Sequence, residues 1–166
     1  MLTSATPDCV QPQVFNHRRM RNELLDWLRR ERCSHALTLV TNRAVTVANI
    51  KRMFGEFCLD LDRECLGVKN VGNKPSGDRL FALGFIEHPE TNIHIHAALR
   101  LDAWWPTHAG VPVARHIERI WKKVTRGSGD AVLREVTDDG WGLYMMKKAR
   151  LIEGAFLLST DYHPKH

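Results

Sequence analysis

The residues best suited to chemistry lie in Asn92-Ile93-His94-Ile95-His96-Ala97, a His-x-His pair inside an apolar run. Its period-two alternation fits a strand, so both imidazoles leave one face about 7 Å apart along the chain. Two same-facing imidazoles are the start of a metal site. Glu87 lies just upstream. If it sits across a hairpin from His94, all three groups project from one sheet face, because opposed residues on neighbouring strands share a face. That register makes His88–Ile93 the connection, longer than the tight two-residue turns. Two nitrogens and one carboxylate leave positions for water and substrate. Such a set suits Mn²⁺ or Mg²⁺, and Zn²⁺ is also compatible. Glu90 and His88, both in the turn, compete with Glu87 as third ligand. A lone His-x-His is otherwise two half-exposed histidines on a strand, so Glu87 carries most of the case.

A nucleophile candidate stands further on, in Tyr144-Met145-Met146-Lys147. The spacing predicts a helix over 139–150. Trp141, Leu143, Met145, Met146 and Ala149 form its apolar arc, and Tyr144, Lys147 and Lys148 fall on the opposite side. A core tyrosine would share the apolar arc. A phenol with ammonium groups three and four residues on has a neighbourhood that favours its phenolate. The plainer reading is an exposed tyrosine beside solvated lysines.

The elements that must carry these residues follow from periodicity and caps. Residues 1–13 read as a flexible lead. Asn16 is a candidate N-cap for a helix over 17–32, with Met20, Leu24, Trp27 and Leu28 on one face. Ala36–Thr41 reads as a buried strand. Thr46 caps a helix over 47–65, with Ile50, Met53, Phe54, Phe57 and Leu61 at helical spacing. Residues 66–79 read as a loop rich in Gly and Asn. Strands are predicted over Arg79–Glu87 and Asn92–Leu101, joined by a turn at His88–Thr91. A loop over 102–112 precedes a helix over 113–125, which Gly127-Ser128-Gly129 breaks. A short strand over Ala131–Val136, the Tyr144 helix and a short strand at Ala155–Leu158 complete the chain. After the first helix the order is βαββαβ. That is the split βαβ pattern: an α+β, ferredoxin- or RRM-like antiparallel sheet with helices on one face and extra N- and C-terminal helices. One domain over 1–166 is expected, with its core at about 35–150.

Bulk properties agree. The chain has 166 residues, 24 Lys and Arg against 19 Asp and Glu, and a net charge of +5. This mild excess suits a polyanionic partner without requiring one. Cys9, Cys33, Cys58 and Cys65 lack C-x-x-C spacing and predict reduced thiols, with Cys58 and Cys65 lining one helix. The first ten residues hold Pro7 and Asp8 and no apolar core, and no apolar run is long enough to span a bilayer. The expected location is cytoplasmic, with no membrane partner.

Taken together, the residues resemble the HUH endonucleases, in particular the single-tyrosine replication initiators of rolling-circle plasmids and small DNA viruses. Leu37-Thr38-Leu39-Val40-Thr41 matches that family's first motif, a Thr-containing apolar strand. His94-Ile95-His96 matches its His-hydrophobic-His motif, with Glu87 the best match to the upstream acidic ligand. Tyr144-Met145-Met146-Lys147 matches its Tyr-x-x-Lys helix. The resemblance covers about residues 35–150, and its force lies in the order of motifs. It implies a divalent-metal-dependent enzyme that nicks and rejoins single-stranded or hairpin origin DNA. Tyr144 would be the nucleophile and Lys147 a phosphate-positioning group, with metal at Glu87, His94 and His96. Thr38 would serve DNA contact. Lys148, Lys69, Lys74 and Arg79 are further candidates for gripping phosphates, as are Lys122, Lys123 and Arg126. Trp104 and Trp105 are candidates for base stacking, or for ordinary packing. Gly72–Asp78 has two glycines at phosphate-loop spacing but Asp78 where lysine is needed, so no nucleotide cofactor is expected and any unwinding falls to a separate helicase. Two other readings stay open: a transposase or relaxase with the same chemistry, and a non-catalytic single-strand binder. The binder would need aromatic residues on the sheet, and Phe81 and Phe85 are the only candidates.

Overall fold

A computed structural model describes residues 17–101, 105, 111–137, 140–142, 145 and 156–163. The elements in chain order are α1 (His17–Arg30), β1 (His35–Val40), α2 (Val47–Leu66), β2 (Ala82–Glu87), β3 (His94–Leu99), α3 (Val113–Val124), β4 (Asp130–Glu135) and β5 (Phe156–Leu158). The strands form one antiparallel sheet in the order β4-β1-β3-β2-β5. This is the predicted α+β core with one short strand added beside β2. The predicted cap holds: the Thr46 side chain accepts the Asn49 N–H at 3.2 Å, satisfying one of the donors that a helix start leaves open. The Asn16 cap lies outside the described residues. Residues 140–142 and Met145 are helical, in the stretch predicted for the Tyr144 helix. Tyr144, Lys147 and Lys148 themselves lie outside the described residues.

Alternation along the strands divides the side chains between two faces. On one face, Leu37, Leu39, Ile86, Ile95, Ala97 and Leu99 pack against α2 and α3, through Ile50, Met53, Phe54, Phe57, Leu61, Ile117, Ile120 and Trp121. Phe57 and Trp121 meet edge to face with centroids 5.8 Å apart. On the other face, Leu83, Phe85 and Ala98 pack against Leu24 and Leu28 of α1 and against Met145. Trp27 and Phe81 add an edge-to-face contact at 5.7 Å. The two crossover helices therefore share one face as predicted, while α1 and Met145 cover part of the opposite face.

The β5 end of the sheet is fastened by polar groups. The Ser159 hydroxyl donates to the Leu80 carbonyl at 2.7 Å and accepts the Ala82 N–H at 2.9 Å. Asp62, fully buried on α2, accepts from Arg79 Nε and from the Leu80 N–H, each at 2.8 Å. These bonds satisfy the backbone just before β2, which is why the strand begins at Ala82 and not at Arg79. Tyr162 lies over α2 at Gly55, where an added Cβ would come within 2.8 Å of Tyr162 Cε1. Gly55→Ala should therefore cost about 1–3 kcal/mol, the usual range for overpacking. Chemical denaturation of the two proteins measures it, and an unchanged midpoint would show that the tail does not rest on α2.

His163 follows on the same tail. Its Nδ1 lies 2.9 Å from the Ser76 hydroxyl and its Nε2 lies 3.9 Å from Asp62 Oδ2. Burial, then the Arg79 guanidinium, hold this imidazole below the ordinary value of 6.5. As pH falls below 6.5 the unfolded chain takes up the proton first, so His163 contributes stability above that pH and loses it on acidification. His163→Gln should flatten the fall in stability between pH 7 and pH 5. Parallel melting curves for the two proteins across that window would exclude the effect.

Candidate metal centre

The hairpin register builds the site. Glu87 pairs with His94, and Phe85 pairs with His96. On the other side of β3, Val40 pairs with His94 and Thr38 with His96. Asp130 and Val132 of β4 then continue the same two rows. Glu87-His94-Val40-Asp130 and Phe85-His96-Thr38-Val132 thus cross the sheet on one face, the face partly covered by α1. The Glu87–His94 pairing expected from sequence is the observed one, despite the long connection. That connection opens with His88 in the left-handed region at φ 49° and buries Ile93 at its end.

Ligand-capable atoms of Glu87, His94 and His96 all lie within 4.8 Å of one another. His94 Nε2 is 3.3 Å and His96 Nε2 is 3.4 Å from Glu87 Oε2. Ligands about 2.1 Å from a common cation sit roughly 3.0–3.4 Å apart when adjacent, so the two Glu87–imidazole distances are those of neighbouring ligands on one ion. The Glu87 side chain is 2 % exposed, and those of His94 and His96 are 16 % and 15 % exposed. The carboxylate is therefore the floor of the site and the imidazoles its open rim. Both Glu87 carboxylate oxygens are buried without a hydrogen bond. The imidazoles approach but are not aligned to donate to them. A buried carboxylate left this way is costly unless a cation compensates it. The group can hold a metal ion, and the donor set of two nitrogens and one oxygen accepts several divalent ions.

The imidazoles are themselves oriented from behind. His94 Nδ1 donates to the Asn92 carbonyl at 2.8 Å, since a carbonyl can only accept. In the neutral ring that leaves Nε2, which faces Glu87, with the lone pair. His96 Nδ1 lies 3.0 Å from Thr38 Oγ1. Outer partners of this kind are the usual companions of ligating histidines. His88 is outside the set; it stacks on His94 with centroids 5.3 Å apart. Glu90 is exposed in the turn. The Asn92 carbonyl had no side-chain signature in the sequence, and Thr38 gave no sign of its partner 58 positions away.

The predicted DNA contacts fall into two groups: Arg79 and Trp105 are corrected by their surroundings, and the exposed lysines lie away from the triad. Arg79 is 1 % exposed and paired with Asp62, so its guanidinium is committed to the core and cannot grip phosphate. Lys69 and Lys74 are exposed, but their loop enters β2 at Ala82, about 17 Å along the strand from Glu87. Trp105 packs on the α2/α3 side and meets the His116 ring at 5.1 Å, on the face away from the triad. Trp104 lies outside the described residues. Lys122 pairs with Glu118 at 2.9 Å and Lys123 with Asp60 at 2.8 Å, also on the α3 side. Phe81 and Phe85, the two aromatic residues proposed from sequence for base stacking, are 6 % and 0 % exposed, and the half-buried Phe156 of β5 packs on Phe85 with centroids 5.0 Å apart.

No family model, curated protein or solved structure matches this chain. Among the described residues, no helix is long and apolar enough to cross a membrane.

Proposed function

We propose that this chain is a divalent-metal-dependent nuclease of the HUH type, which nicks and rejoins single-stranded DNA through Tyr144 to initiate rolling-circle replication of a mobile element. The observation that carries the reading is the buried Glu87 carboxylate, without a hydrogen bond and facing two imidazoles whose Nε2 atoms approach one of its oxygens. The sheet order supports it, as does Met145. That residue, next to Tyr144 in sequence, is buried in the same cluster as Phe85, whose register partner is His96. The burial of Phe81 and Phe85 counts against a binder that stacks bases on the sheet.

Glu87, His94 and His96 would hold a divalent cation, which would supply Lewis-acid polarisation of a phosphate oxygen when bound. Tyr144 loses its phenolic proton and its oxygen attacks the phosphorus in line. The P–O3′ bond breaks, the 3′ oxygen takes up a proton, and the 5′ phosphate stays on the tyrosine. Lys147 positions the phosphate and offsets the growing negative charge. Because the phosphodiester is exchanged and not hydrolysed, a second 3′ hydroxyl can reverse the step and join strands. Mn²⁺ and Mg²⁺ are the proposed cofactors, and unwinding is left to a separate helicase.

The test incubates the chain with a single-stranded oligonucleotide library and Mn²⁺. The expected result is a DNA adduct that survives SDS and is lost with chelator. Binding without an adduct, across substrates and metals, would favour the non-catalytic binder.

A further inference from the structure

Thr38 occupies an unusual place for a strand threonine. Its hydroxyl lies 3.0 Å from His96 Nδ1, while the other ring nitrogen lies 3.4 Å from Glu87 Oε2. A neutral imidazole carries one proton, and only the nitrogen without it can coordinate. For His94 the choice is fixed by the backbone, because the Asn92 carbonyl only accepts. For His96 it depends on a side chain. We propose that Thr38 is a positioning residue of the cation site: its hydroxyl accepts from His96 Nδ1 and holds the ring with Nε2 toward Glu87 and His94. This rests on the reading of the triad as a metal site. It gives Thr38 a role other than DNA contact, and it makes His96 the ligand that a single remote substitution can misalign.

Thr38→Val keeps the branched shape and the strand preference and removes only the hydroxyl. Thr38→Ser keeps the hydroxyl. Imidazole ¹⁵N spectra of the Zn²⁺-loaded protein, a diamagnetic state, should report one arrangement for both His94 and His96, Nε2 on the metal and Nδ1–H, in wild type and in Thr38→Ser. In Thr38→Val, His96 should lose that single arrangement while His94 keeps it. Mn²⁺ affinity should fall about 10- to 100-fold in Thr38→Val, the usual cost of losing an outer partner, and recover in Thr38→Ser. If Thr38→Val keeps the wild-type His96 tautomer and Mn²⁺ affinity, Thr38 is an ordinary strand residue and the metal site stands without it. If wild type takes up no Mn²⁺, the proposal falls together with the triad reading.

Discussion

Tyr144→Phe should reduce the SDS-resistant DNA adduct to background, a loss of at least about a thousandfold, because the variant has no oxygen to attack phosphorus. Mn²⁺ uptake should stay within about threefold, since the proposed ligands are Glu87, His94 and His96. The chain has only two tyrosines, so the control is Tyr162→Phe. Tyr162 is a poor nucleophile. Its ring packs against Phe54, with centroids 6.1 Å apart, on the α2 side of the sheet. Burial, with the nearby Cys58 and Asp161, pushes its phenol up to about 12. Tyr162→Phe should leave adduct formation intact. If Tyr144→Phe still forms the adduct, the nucleophile lies elsewhere and the assignment of this motif is wrong.

Glu87→Met should separate stability from metal binding, moving them in opposite directions. In the metal-free protein the carboxylate is buried and both its oxygens lack hydrogen bonds. Replacing such a charge by an apolar side chain of similar length should raise metal-free stability by about 1–3 kcal/mol. Wild type should gain about 2.7 kcal/mol when Mn²⁺ is present at a hundredfold excess over its Kd. The variant should gain almost nothing. Its loss of affinity should exceed the 10- to 100-fold expected for an outer partner such as Thr38, because a ligand atom itself is removed. Denaturant titrations with and without Mn²⁺ give all four numbers. A variant that is less stable than wild type without metal would make Glu87 a structural anchor for the two histidines. Equal metal-induced stabilisation in both proteins would remove it from the ligand set.

What the sequence determined by itself was local. Apolar spacing marked α2 and α3, Thr46 announced its helix, and the His-x-His alternation gave two same-facing imidazoles. Those features depend on neighbours within a turn or a strand, where geometry follows from spacing. The Glu87–His94 pairing was also legible, as one of several registers open to a loop of that length. The tertiary structure decided the rest. It took Arg79 from the surface into an ion pair with Asp62, seventeen positions away on another element. It moved Trp105 to the α3 side and brought Thr38 of β1 against His96 of β3. It also laid α1 and Met145 on the same face as the triad. Each of these is a contact between elements distant in sequence, fixed by which faces bury together. No periodicity within one segment encodes that choice, because the same spacing is compatible with a partner, with solvent or with the opposite face of the sheet.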